Sequence, residues 1–129
     1  MQLDFNLDKS IYLQIAEQIE DNILQNALEE ESQVPSTNQM AALYRINPAT
    51  AGKGINILVD SGILYKQRGI GMFVATGARE KIKEKRKQMF YEKYIGPLLA
   101  EAGQLGISPK ELCSMIIERQ SQDREESKK

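Results

Sequence analysis

Isoleucine recurs at every fourth position in Ile11, Ile15, Ile19 and Ile23, with Tyr12, Ala16 and Leu24 beside that line. A repeat of four gathers side chains on one face of an α-helix and would scatter them over both faces of a strand. The spacing predicts an amphipathic helix from about Ser10 to Leu28. Its one apolar face obliges the rest of the chain to cover it. Ahead of it, Leu3, Phe5 and Leu7 alternate with polar neighbours and read as one brief strand.

The cover is short and well punctuated. Glu29-Glu30-Glu31-Ser32-Gln33 breaks the helical period and reads as a loop. Ser36 with Gln39 has the spacing of a capping box, in which each side chain satisfies the other's free backbone N–H. The helix it opens is expected to bury Met40, Leu43 and Tyr44. Asn47-Pro48 starts another, since Asn caps well and Pro at the first helical position loses no hydrogen bond. Ile55, Leu58 and Val59 form its inner face, and Gly62 is placed to stop it in the left-handed conformation. Gly52 and Gly54 inside this helix each cost about 1 kcal/mol relative to Ala and need a structural reason. A strand over 63–67, a turn at Arg68-Gly69-Ile70-Gly71 and a second strand over 72–75 complete the unit. The order is helix, helix, helix, hairpin: a mainly α fold of the winged helix-turn-helix class over 1–77.

The tail over 78–129 reads as helical. Lys81, Lys83, Lys85, Arg86 and Lys87 interleave with Glu80 and Glu84, a pattern expected of a solvated helix face. Gly96-Pro97 predicts a kink or a fresh helix start, and Gly103 and Gly106 predict a turn. Ser108 with Glu111 repeats the capping-box spacing ahead of a last helix bearing Leu112, Met115, Ile116 and Arg119 on one face, with fraying expected from Ser121. Two short helices bury little surface alone. Ile95, Leu98, Leu99, Leu105, Leu112, Met115 and Ile116 are therefore expected to form a seam between two copies of the chain. Tyr91 and Tyr94 read as packing residues and Cys113 as a small buried hydrophobe.

Composition removes whole classes of function. The chain has no histidine, which takes away the commonest general base and metal ligand. The glutamates at 29–31 are contiguous and cannot converge on one ion, and no glycine-rich phosphate loop follows a strand. Neither an enzyme nor a cofactor or metal site is expected. No apolar run approaches the ~20 residues that span a bilayer, and no secretory signal opens the chain. With a single cysteine, a reducing cytoplasmic setting is expected.

Charge does not announce a nucleic-acid partner. The net charge is −1, and residues 1–77 carry five Lys/Arg against nine Asp/Glu, or −4. Local motifs must carry that reading. Two short helices joined by a tight turn, the second opening with small polar residues, are how a recognition helix is offered to the major groove. Here Asn47, Thr50 and Lys53 supply a carboxamide, a hydroxyl and an ammonium, while small Ala49, Ala51 and Gly52 permit close approach. Arg68, Gly69, Ile70 and Gly71 would form a wing along the neighbouring groove or backbone. A winged-helix module that binds protein instead of DNA is the alternative, kept open by the acidic first half.

Several motifs in order carry a resemblance. Ile11-Tyr12 with Gln14-Ile15, Pro35-Ser36, Asn47-Pro48-x-Thr50, Gly62-Ile63-Leu64 and Arg68-Gly69-x-Gly71-x-Phe73-Val74 together resemble the DNA-binding domain of the GntR family of bacterial transcription regulators. In the tail, Glu101-Ala102-x-x-Leu105-Gly106-Ile107-Ser108 and the helix after it resemble the family's YtrA-like subgroup, which has a two-helix dimerisation tail. The resemblance implies a homodimeric repressor of a double-stranded DNA operator, often that of an operon for an ABC-type transporter. It also implies that Ser36, Thr37 and Asn38 contact phosphate or the groove edge. The chain departs from the family in three places. Asn38 stands where the family has a DNA-contacting arginine, Glu29-Glu30-Glu31 replaces a Pro-Gly loop, and Gly52 and Gly54 replace better helix formers around Lys53. Losing that arginine removes a charge-assisted contact and is expected to change operator affinity or sequence.

Overall fold

The computed structural model describes residues 3–5 and 9–127. Helix α1 spans Ile11–Leu24, strand β1 Gln33–Val34, α2 Thr37–Tyr44, α3 Pro48–Asp60, β2 Leu64–Gln67 and β3 Gly71–Val74. Helix α4 follows over Ala78–Phe90, then a π-helical segment over Tyr91–Ile95, α5 over Gly96–Gln104 and α6 over Pro109–Ser127. The chain divides into two compact units, Met1–Lys85 and Arg86–Lys129. The architecture is mainly helical with a small antiparallel sheet: a winged helix-turn-helix unit, then a helical region.

The isoleucine line behaves as its spacing predicts. Ile15, Ile19 and Ile23 are fully buried against Ile55 and Leu58 of α3, Ile63, Leu64 and Val74 of the hairpin, and Ile82 of α4. Helix α1 ends at Leu24, short of the expected Leu28, because Asn26 turns left-handed at φ 61°. The Ala27 and Asn26 amides then donate to Asn22 O at 2.8 Å and Ile23 O at 3.2 Å, a Schellman stop with asparagine in the glycine position. The brief strand expected ahead of α1 is absent over Leu3–Phe5, and Leu7 lies outside the described residues. The buried Gln14 side chain holds that backbone instead. Its Oε1 accepts from the Asp4 amide at 2.8 Å, and its Nε2 donates to Asp4 O at 2.8 Å and Lys9 O at 3.0 Å.

Helix α2 buries Met40 and Ala41, while Leu43, expected inside, is 71% exposed. The helix is only two turns long, so one narrow face reaches the core, and Tyr44 is half-buried at its edge. In α3, Gly54 has its reason. A Cβ there would stand 2.6 Å from Tyr12 O and 3.2 Å from Ile15 Cβ, so α1 and α3 cross at a separation only glycine permits. Gly52 has no such constraint, since its Cβ would meet the Thr37 methyl at an ordinary 3.5 Å. Gly62 ends α3 as expected, at φ 78°.

The hairpin is part of a three-stranded antiparallel sheet in the order β1-β3-β2. Gln33, read from sequence as loop, pairs with Phe73, and Val34 with Met72. Two residues are too few to show the alternation that marks a strand. Tyr65 and Phe73 face each other across β2 and β3 and stack at 5.7 Å.

Ala78 and Ile82 are fully buried in the core of the first unit, so the start of α4 belongs to it. In the second unit the π-helical turn has a covalent cause. Pro97 has no N–H to give and its ring crowds the carbonyl one turn back. The Gly96 amide reaches to Tyr91 O, and a regular helix restarts at Gly96. Gly103 stays helical, and Gly106 alone of the two makes the turn, at φ 73°. The Glu111 amide donates to Ser108 Oγ at 3.1 Å. The fraying expected from Ser121 is absent, for α6 runs on to Ser127 with Ser121 Oγ donating to Ile117 O at 3.1 Å. Cys113, expected buried, is exposed on α6. Tyr91 and Tyr94 are exposed as well, Tyr94 resting against Phe90 at 5.3 Å.

Candidate nucleic-acid interface

Helices α2 and α3 are joined by a turn of a few residues whose geometry is set from both ends. At the start of α2 the capping box is complete, with Ser36 Oγ accepting from the Gln39 amide at 3.1 Å and Gln39 Oε1 from the Ser36 amide at 2.8 Å. At its end Arg45 turns left-handed at φ 56°, and the Ile46 amide closes on Ala41 O at 3.0 Å. Ile46 packs against the core and pins the turn, leaving Arg45 exposed. Asn47 then caps α3, its Oδ1 accepting from the Ala49 amide at 2.8 Å. That bond turns the oxygen toward the helix end and leaves the carboxamide NH₂ to donate outward.

Burial divides α3 into two faces. Ala51, Gly54, Ile55 and Leu58 point inward. Ala51, grouped from sequence with the small residues of the groove face, is therefore a core residue with no exposed surface. The outward face carries Ala49, Lys53, Asn56 and, a turn later, Asp60, all exposed. Thr50 and Gly52 are half-buried at its margins. Thr37 of α2 lies beside Gly52, which brings the Ser36–Asn38 segment against this part of α3. Asn38 itself is exposed in the first turn of α2.

The hairpin tip is braced. The Ile70 amide donates to Gln67 O at 3.0 Å to close the turn, and Gly69 takes φ 79°. Gln33 of β1 donates from Nε2 to Ile70 O at 3.1 Å. Arg68, Gly69 and Ile70 are exposed, and Gly71 is half-buried under Gln33. At the other end of the hairpin, Glu31 accepts from Tyr65 Oη at 2.6 Å and from Thr76 Oγ1 at 2.5 Å. The Thr76 bond first, then the Tyr65 bond, holds the Glu31 carboxyl below its ordinary range, and the same contact with Glu31 pushes the Tyr65 phenol up.

Electrostatics resolve the charge puzzle. Three carboxylates of this acidic unit have internal partners: Glu17 pairs with Lys9 at 2.5 Å, the buried Glu20 with Lys85, and Glu31 with its two hydroxyls. Among the described residues, Arg45, Lys53, Lys66 and Arg68 have no carboxylate partner. They sit in the α2–α3 turn, on the outward face of α3, and on the hairpin from β2 to its tip. Such an arrangement can take up phosphate oxygens with its cations and read base edges with the amides between them.

Sequence reasoning missed Arg45 and Asn56. Arg45 carries no cue, because left-handed arginine at a helix end has no sequence signature. Asn56 had one: it lies three residues beyond Lys53 and seven beyond Ala49, the spacing of one helix face. Among the described residues no cluster of His, Cys, Asp or Glu side chains suits a metal ion, and no helix is long and apolar enough to cross a membrane.

Comparisons with known proteins identify the family. Residues 11–74 match the family model described as "Bacterial regulatory proteins, gntR family". The chain is 26% identical to the HTH-type transcriptional repressor YtrA of Bacillus subtilis (strain 168), over 92% of this chain and 90% of YtrA. It is 29% identical to the HTH-type transcriptional regulator YhcF of the same organism, over 90% of this chain and 94% of YhcF. A crystal structure of a GntR-family transcriptional regulator from Bacteroides thetaiotaomicron is 37% identical and superimposes with a TM-score of 0.77, covering 88% of this chain and 99% of that one.

Proposed function

The chain belongs to the GntR family of bacterial regulatory proteins, in its YtrA-like subgroup, and on that footing we propose that it is a cytoplasmic homodimeric repressor of a small operon. A DNA-binding regulatory role comes with the family; the manner of binding, the assembly and the repression are our reading. Each copy offers the outward face of α3 to the major groove, with Asn47, Ala49, Thr50 and Lys53 at the base edges. Ser36, Thr37 and Asn38 lie at the groove edge, and Arg68, Gly69, Ile70 and Gly71 reach the adjacent backbone or minor groove. The single observation behind this reading is that Arg45, Lys53, Lys66 and Arg68 stand without acidic partners along the α2–α3 turn, α3 and the hairpin, while Glu17, Glu20 and Glu31 are engaged internally.

Assembly follows from what the helical region leaves uncovered. Of its apolar side chains only Ala102 and Leu112 are buried among the described residues, while Leu98, Leu99, Leu105, Met115, Ile116 and Ile117 are exposed. An apolar surface of that extent on a small unit asks for a partner, and a second copy meets it through Ile95, Leu98, Leu99, Leu105, Leu112, Met115 and Ile116. Two-fold pairing would set the recognition helices about 34 Å apart or slightly more, one turn of duplex, on a pseudo-palindromic operator. Repression is by occlusion of the promoter. The subgroup resemblance favours an ABC-type transporter operon.

Selection of bound fragments from randomised or genomic DNA with purified protein tests the reading. A recurrent inverted repeat is expected. Lys53→Ala should weaken binding to that repeat in a gel shift at moderate salt; unchanged binding would refute the placement of α3.

A further inference from the structure

Tyr12 sits on α1, outside every segment assigned above to DNA, yet it is tied to the recognition helix twice. Its carbonyl oxygen occupies the space that a Cβ on Gly54 would need, at 2.6 Å. Its ring lies beneath the neighbouring residue on α3, with Lys53 Nζ 4.1 Å from the ring centroid. The helix crossing thus sets where the Tyr12 backbone stands against α3, and from there its ring meets Lys53. Lys53 is exposed, and its four-carbon stem would otherwise sample many rotamers. An ammonium held on an aromatic face within ~6 Å is attracted by the ring's quadrupole, and its N–H groups that point away from the ring stay free to donate. We propose that Tyr12 is a positioning residue for DNA binding: its ring holds the Lys53 ammonium over the outward face of α3, ready for phosphate or a base edge. This rests on the reading that Lys53 touches DNA.

The ring is required and the hydroxyl is not. Tyr12→Phe should leave affinity within about twofold, whereas Tyr12→Leu, which keeps an apolar side chain on α1 and removes the π-face, should weaken binding about two- to fivefold. The probe is a fluorescein-labelled duplex recovered from randomised DNA by the purified full-length protein, read by anisotropy across a salt series. Because Tyr12→Leu also alters packing, the deciding measurement is a double-mutant cycle with Lys53→Met. If Tyr12 acts through Lys53, Tyr12→Leu costs nothing further once Lys53 is methionine. Equal cost in both backgrounds would overturn the positioning role while leaving Lys53 at the DNA. No loss of affinity on Lys53→Met alone would overturn the reading of α3 itself, and this inference with it.

Discussion

Gly54 and the carbonyl of Tyr12 are in backbone contact: a Cβ on Gly54 would lie 2.6 Å from that oxygen. A helix-breaking residue in the middle of α3 is thereby explained as the point where two helices meet without side chains between them. Gly54→Ala should destabilise the protein by about 1–3 kcal/mol, because the clash is with backbone and cannot relax by rotamer change. Gly52 is the control, since its Cβ would make only an ordinary contact at 3.5 Å. Gly52→Ala should stabilise by up to about 1 kcal/mol and, if Gly52 lets α3 sit close to the duplex, reduce operator affinity severalfold. Denaturant melts of the two variants should move in opposite directions.

Glu31 is held anionic by the Thr76 and Tyr65 hydroxyls, and its carboxyl lies below the ordinary 4.5. A carboxyl with a depressed value stabilises the fold above its ordinary value and loses that contribution as pH falls through the folded one. Tyr65 runs the other way: its phenol lies above the ordinary 10.0, so its contribution persists below that value and is lost in stronger base. Glu31→Gln should lower the melting temperature at about pH 7, and the gap to the parent should close as pH falls below about 4.5. A gap independent of pH in thermal melts would remove the charged tie at the base of the hairpin.

Asn56 continues the outward face of α3 beyond Lys53, and the exposed Asp60 after it would repel phosphate. The DNA-facing stretch should therefore end at Asn56, whose carboxamide suits the N6 and N7 edge of adenine. Asn56→Ala should relax selectivity at one base pair in each half-site by about 1–3 kcal/mol and leave the others as they were. Repeating the fragment selection with the variant checks this; an even loss at every position would deny Asn56 a base.

The helical region makes an assembly prediction that does not threaten the fold. Leu99 and Ile116 are 46% and 52% exposed in the single chain, so a charge at either disturbs no internal core. Leu99→Asp and Ile116→Asp should convert a dimer to monomer in sedimentation at micromolar concentration and cost at least tenfold in operator affinity. A parent that sediments as a strict monomer would dismiss the seam.

Salt dependence should be bounded by the few cations on this face. If Arg45, Lys53, Lys66 and Arg68 of each copy are the cations that meet phosphate, the slope of log affinity against log salt should be no steeper than about −7. A steeper slope measured by anisotropy would bring the lysines of α4 onto the phosphates.

Chain-local features were legible before any coordinates. The isoleucine spacing called for α1, Ser36 with Gln39 and Asn47 with Pro48 marked two helix starts, and Gly62 and Arg68-Gly69 marked a stop and a turn. Each depends on interactions within a few residues of itself, and such interactions leave a pattern in the order of residues. Asn26 stopping α1 early, and the π-helical turn before Pro97, also have local causes, but weaker signatures.

Other features exist only because distant residues meet. Leu43 is expected inside and Ala41 is not, yet the set of α2 against α3 puts Ala41 inside and Leu43 out. Glu31 looked like one more loop carboxylate until the sheet carried Tyr65 and Thr76 to it. The lysine run in α4 gave no hint that Lys85 answers the buried Glu20 or that Ala78 and Ile82 close the core. Periodicity tells which side of an element is apolar; what that side touches, and which charges are left over for a partner, is set by packing between segments far apart in the chain.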